Sequence, residues 1–127
     1  MIENFLIISC IGKDDKLGLR INKDFFIHIL KNKNKRSDNL VSEIYDFLKK
    51  YESKLDENFT IIINQGPGSF SGIRTALAVA KGLEISKKVT LFGFKDIDLK
   101  QFDLKNIEKL FIKKLVEKKL IKPIYLS

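Results

Sequence analysis

The sequence predicts an α/β fold built on a five-stranded mixed sheet, and three observations carry that prediction. Continuous apolar runs at Phe5–Cys10 and Phe59–Ile63 read as strands covered on both faces. Alternating stretches at Leu17–Ile21 and Phe25–Leu30, each behind a short polar turn, read with the first run as a three-strand antiparallel meander. Apolar residues at helical spacing fill the segments between the later strands.

Taken in order, Gly12-Lys13-Asp14-Asp15-Lys16 and Asn22-Lys23-Asp24 are the two turns of the meander, and the basic stretch Lys31–Arg36 is a loop. Ser37 or Asp38 offers an N-cap for a helix from about Asn39 to Tyr51. Leu40, Ile44, Phe47, Leu48 and Tyr51 form its core stripe, and Val41 and Tyr45 widen that stripe beyond what burial against one sheet requires. Asp56-Glu57-Asn58 breaks the helix before the strand Phe59–Ile63. A turn follows, made of Gly66, Pro67, Gly68, Ser69, Phe70, Ser71 and Gly72, then a helix from about Ser71 to Ile85 and a fifth strand at Val89–Phe94. Strand, helix and strand from Phe59 to Phe94 call for a right-handed parallel crossover. Three meandering strands followed by helix, strand, helix and strand is the element order of a ribonuclease-H-like or actin-like half-domain. The expected division is an α/β domain over residues 1–95 and a short helical tail over residues 96–127. In that tail Leu104, Ile107, Phe111 and Leu115 mark one amphipathic helix, and Lys122–Ser127 reads as an extended end.

At 127 residues the chain builds one core and falls short of two. Apolar residues at 44% and charged residues at 31% argue against general disorder. A formal net charge of +8 favours polyanions or acidic partners. No basic motif interleaved with aromatics is visible, so a solvated basic surface is the default and direct nucleic-acid contact the alternative. Cys10 is the sole cysteine, which excludes an intramolecular disulfide. Glu3 stands where a signal peptide would carry basic residues, and the apolar run after it is too short to span a bilayer. The expectation is a cytoplasmic protein with no membrane contact.

Gly66, Gly68 and Gly72 permit a sharp turn between a buried strand and a closely packed helix, while Ser69 or Ser71 can cap that helix. The same helix N-terminus suits an anion, so a nucleotide-binding or phosphotransfer domain using this turn is one reading. The turn lacks the Gly-Lys-Ser/Thr ending of a P-loop and the glycine spacing of a dinucleotide fingerprint; its nearest cation is Arg74. A tight structural bend fits the spacing better. In the helix after the turn, Ile73, Ala76, Leu77, Ala80 and Leu83 can face the sheet. Thr75, Ala78, Val79 and Gly82 form a second, small-residue face, flanked by Arg74 and Lys81. That second face is either sealed within the monomer or an interface, and the interface is the favoured reading.

Catalytic sets are hard to assemble. His28 is the one histidine, so no zinc cluster and no second histidine to activate Ser69 or Ser71 are available. Asp14 with Asp15, and Asp96 with Asp98, lie in turns as solvated charges. No cofactor and no metal are expected.

The run Gly66-Pro67-Gly68-Ser69-Phe70-Ser71-Gly72-Ile73-Arg74, with Ala78-Val79-Ala80-Lys81-Gly82-Leu83, resembles the bacterial TsaB (YeaZ) family. The family pattern there is Gly-Pro-Gly-Ser-Phe-Thr-Gly-Leu-Arg followed by Ala-Lys-Gly-Leu. Pro123-Ile124-Tyr125-Leu126 is similar to the family's closing Pro-x-Tyr-Leu. The resemblance implies an actin-like, non-catalytic subunit of the complex that adds threonylcarbamoyl to adenosine 37 of tRNAs reading codons that begin with A. It implies docking onto a TsaD-like catalytic subunit, a TsaE-like ATPase in the assembled complex, and only indirect contact with tRNA. The implied docking surface is the helix pair, through Leu40, Val41, Ile44, Tyr45, Leu48, Arg74, Thr75, Ala78, Val79 and Gly82; a homodimer through the same helices is also open. The family's first strand ends in Asp-Thr-Ser, and here it ends Ser9-Cys10-Ile11; the family's His-Ser before the first helix reads Arg36-Ser37. Most of the family's second subdomain is expected to be missing, with the tail in its place.

Overall fold

The computed structural model describes residues 3–30, 37–118 and 121–124. The basic loop expected at 31–36, the capping side chains of Ser37 and Asp38, and the closing Tyr125–Ser127 lie outside the described residues. Strands β1 (Phe5–Ser9), β2 (Lys16–Ile21) and β3 (Asp24–Ile29) form the meander, with Phe5 opposite Arg20 and Leu19 opposite Phe26. Helix α1 (Ser37–Lys50) leads to β4 (Thr60–Asn64), which pairs parallel with β1, Phe5 against Thr60. Helix α2 (Phe70–Lys87) then leads to β5 (Thr90–Phe94), parallel to β4.

The sheet has six strands rather than the expected five. Beyond α3 (Leu104–Ile112), the two-residue strand β6 (Val116–Glu117) pairs antiparallel with β5, giving the order β3-β2-β1-β4-β5-β6. Two residues are too few to show a strand period in sequence, and only the free edge of β5 selects them. The tail helix is correspondingly shorter than its apolar spacing suggested: it stops at Ile112, and Leu115 lies beyond it, 36% exposed.

Every residue of β1 and β4 is buried, as befits central strands covered on both faces. Their alternating side chains serve two cores. Leu6, Ile8, Ile61 and Ile63 join Leu17, Leu19 and Leu91 beneath α1 and α2. Phe5, Ile7 and Ile62 join Phe94, Ile107 and Leu110 beneath the tail. Each fully buried side chain of this size stabilises the fold by about 1.5–3 kcal/mol through burial. The tail is held in register by Asp103, which caps α3 by accepting from the Asn106 backbone N–H at 2.8 Å. Arg20 on β2 reaches Glu108 on α3 at 3.5 Å.

Candidate functional site

The parallel strands β1, β4 and β5 end together, and a polar cluster closes their C-terminal ends. Asn64, 1% exposed, donates its side-chain N–H groups to Ser9 Oγ at 3.1 Å and to Asp96 Oδ1 at 3.0 Å. Its Oδ1 accepts from the Gly66 N–H at 2.9 Å, so one amide satisfies three neighbours and starts the turn. Next to it, Gln65 donates to the Lys122 carbonyl at 3.0 Å and lies against Gly93, where a Cβ would come within 2.6 Å of Gln65 Oε1. Sequence reasoning missed this cluster. Its one signal was Asn64-Gln65, two polar residues directly behind Ile61-Ile62-Ile63, and their partners lie 55 and 57 residues away in the chain.

The turn itself is a tightly tied bend. Gly66 takes a φ of +105°, and a Cβ there would meet the Ile124 carbonyl oxygen at 2.4 Å. At Gly68 a Cβ would meet the Ile11 carbonyl oxygen at 2.4 Å, so the β1–β2 loop packs directly over the turn. The Ser69 N–H donates to the Ile11 carbonyl at 2.8 Å, and the Asp96 N–H donates to the Gly66 carbonyl at 2.8 Å. Ser69 caps α2, its Oγ accepting from the Gly72 N–H at 3.3 Å. Pro67, Phe70 and Ser71 are exposed, and Phe70 carries the Arg74 guanidinium 4.9 Å from its ring centre.

The residues expected at an interface divide sharply. Leu40, Ile44 and Leu48 are buried under α1 in the core, while Val41 is half-buried and Tyr45 is 38% exposed. On α2 the sheet-facing set Ile73, Ala76, Leu77, Ala80 and Leu83 is buried. Arg74, Ala78 and Gly82 face outward and Thr75 is half-buried, but Val79 is only 6% exposed and belongs to the core. Val79 follows Ala78 by one residue, a rotation of about 100° that carries it off the outer stripe. The outer stripe runs Ser71, Arg74, Ala78, Lys81 or Gly82, and Ile85, which is 79% exposed. A groove of about 690 Å³ lies where the C-terminal ends of α1 and α2 approach, lined by Tyr45, Leu48, Leu55 and Lys87.

His28 and Asp15 are engaged in holding the fold. His28 Nε2 lies 2.9 Å from Glu43 Oε2, tying β3 to α1. Asp15 accepts from the Gly12 N–H at 2.8 Å within its own turn. Among the described residues, no group of three His, Cys, Asp or Glu side chains is placed to hold a metal ion.

A three-strand meander, a central β1 parallel to β4, two long helices on one face and α3 on the other define an α/β half-domain of the ribonuclease-H-like, actin-like class. Solved structures of the same shape include YeaZ from Pseudomonas aeruginosa, with a TM-score of 0.66 and 16% identity over 88% of this chain and 50% of that one. A second, described as an uncharacterized protein with similarity to peptidase YeaZ from Pseudomonas aeruginosa, has a TM-score of 0.64 and 20% identity, covering 76% of this chain and 45% of that one. No protein-family model matches the chain. Among curated proteins, the chain is 30% identical over 88 residues to the tRNA threonylcarbamoyladenosine biosynthesis protein TsaB of Buchnera aphidicola subsp. Acyrthosiphon pisum, covering 68% of this chain and 40% of that protein. It is 48% identical over 46 residues to the TsaB of Buchnera aphidicola subsp. Baizongia pistaciae, covering 36% of this chain and 21% of that protein. The chain belongs to the TsaB (YeaZ) family, and it spans less than half the length of these curated relatives.

Proposed function

We propose that this chain acts in tRNA threonylcarbamoyladenosine biosynthesis as a non-catalytic subunit that docks through α1 and α2 onto a larger, TsaD-like catalytic partner. The observation that carries the reading is the outer stripe of α2, where Ala78, Gly82 and Ile85 stand in solvent beside Arg74 and Lys81. An apolar, small-residue stripe lets a partner helix approach closely and bury area that water otherwise covers. Tyr45 and Val41 extend the surface across α1. The relatives' names supply the process. The finer reading is modification of adenosine 37 in tRNAs that decode codons beginning with A, a TsaE-like ATPase in the assembled complex, and a cytoplasmic setting. Among the described residues no helix is long and apolar enough to cross a membrane.

The turn supports a structural role over a phosphate cradle, because Ile11 packs on Gly68 and takes the Ser69 N–H. Co-expression with the TsaD-type subunit of the same organism tests the proposal. A heterodimer on size exclusion is the expected result, abolished by Ala78→Asp with the melting temperature unchanged. A wild-type pair that elutes as two separate proteins removes the proposal, and a homodimer lost in Ala78→Asp replaces it with self-association.

A further inference from the structure

Residues 95–118 carry seven lysines and five acids, a balance that looks modest until exposure is considered. All seven lysines are exposed, and of the five acids only Glu117 is. The other four are half-buried, and three of them are engaged by specific partners: Asp96 accepts from Asn64, Asp103 caps α3, and Glu108 meets Arg20, while Asp98 stays beside the lysines. The face that this segment shows to solvent is therefore more basic than its composition.

The cations are also ordered. Lys105 and Lys109 on α3 and Lys113 at its C-cap follow at four-residue intervals, so they line one side of the helix and its end with a rise of about 6 Å between neighbours. A groove of about 270 Å³ beside them is lined by Lys100, Lys109 and Lys113 together with Asp98, Asn106 and Leu115, three cations to one acid. Stabilisation of the helix dipole accounts for Lys109 in the last turn but not for Lys105, which stands in the first turn where a cation is disfavoured. Lys105 and Lys109 also help to hold the Asp103 carboxyl below the usual carboxylate range, after the hydrogen bonds from Asn106.

We infer that the lysine row of α3, with Lys100 beside it, is a binding surface for the phosphate backbone of RNA. A line of exposed ammonium groups neutralises successive phosphates and releases their counterions, and it needs no base-reading side chains. The row lies on the tail's side of the sheet, opposite α1 and α2, so a partner docked on the helix pair leaves it open. The choice of RNA among polyanions rests on the proposed function; the charge row itself does not.

Fluorescence anisotropy of the isolated chain with a labelled tRNA transcript tests this across a salt series. Four phosphate contacts give a slope of log K against log salt of roughly −3 to −4. The K105Q/K109Q/K113Q variant is expected to bind about ten-fold more weakly at about 50 mM salt, with a slope shallower by about 2–3. A control variant, K49Q/K50Q/K54Q, removes three exposed lysines from the α1 side and is expected to stay within about two-fold of wild type. Equal losses in both variants, no tRNA binding at low salt, or tighter binding to phosphatidylserine vesicles than to tRNA each overturn the inference. Ala78→Asp separates the two readings: failed docking leaves its tRNA isotherm unchanged, and failed tRNA binding leaves subunit pairing unchanged.

Discussion

The two faces of the sheet solve the same problem with different means. On one face, two long helices cover aliphatic strand residues, and α2 brings Ala76 and Ala80 close to β4 and β5. On the other, the nine-residue α3 covers its share with only Ile107 and Leu110 fully buried. Rings fill the remaining space there: Phe25 lies 6.2 Å from both Phe5 and Phe102, and Phe92 meets Phe111 edge-on at 5.1 Å. Even so, cover on this side is partial, and Ile27 and Ile29 on β3 remain 50% and 60% exposed. The helix-pair face thus has more surface than its sheet needs, while the tail face has less. The first leaves Ala78, Gly82 and Ile85 in solvent; the second leaves its margin to lysines.

The largest expected effect lies on the helix-pair face. Val79→Asp places an unpaired carboxylate in the core and is expected to cost more than about 4 kcal/mol, unfolding the domain by circular dichroism. Its neighbour Ala78→Asp should leave the melt unchanged, and equal melts for the two would erase the distinction between inner and outer stripe. On the tail face, Ile107→Ala is expected to cost about 2–4 kcal/mol by urea denaturation. Hydrogen exchange in that variant should rise in α3 while β1 stays protected; uniform exchange would mean that the two faces open as one unit.

Asn64→Ala, where the faces meet at the strand ends, is expected to lose about 1–3 kcal/mol by leaving Ser9, Asp96 and the Gly66 N–H without their shared partner. Gly82→Ala acts in the opposite direction. Nothing lies within 4 Å of a Cβ at Gly82, so helix propensity alone should stabilise the chain by about 0.5–1 kcal/mol. Weaker partner binding in that stabilised variant would show that close helix approach occurs there. The smallest effect is on the tail. Asp103 is held below the usual carboxylate range chiefly by the Asn106 backbone N–H, so its cap is fully present above about pH 4 and is lost as pH falls through the depressed value. Loss of helical signal from α3 on acidification should shrink in Asp103→Asn.

Strand and helix existence was legible because period and apolar runs are local properties. Phe5–Ser9, Lys16–Ile21 and Thr60–Asn64 fall where the alternation and runs put them. The sheet-facing set of α2 was legible for the same reason. What was not legible depended on partners distant in the chain: β6 exists because β5 had a free edge, and the polar cluster exists because Ser9, Asn64 and Asp96 arrive at one point.

The outer stripe of α2 shows the same division at the scale of one helix. Sequence alone determined that α2 is apolar on more sides than one sheet can cover, since that follows from composition at helical period. Only the tertiary structure decided that Val79 is drawn into the core while Ala78 and Gly82 stay in solvent. Helical spacing orders the residues around the axis, but the rotation of that axis is set by packing against α1 and the sheet.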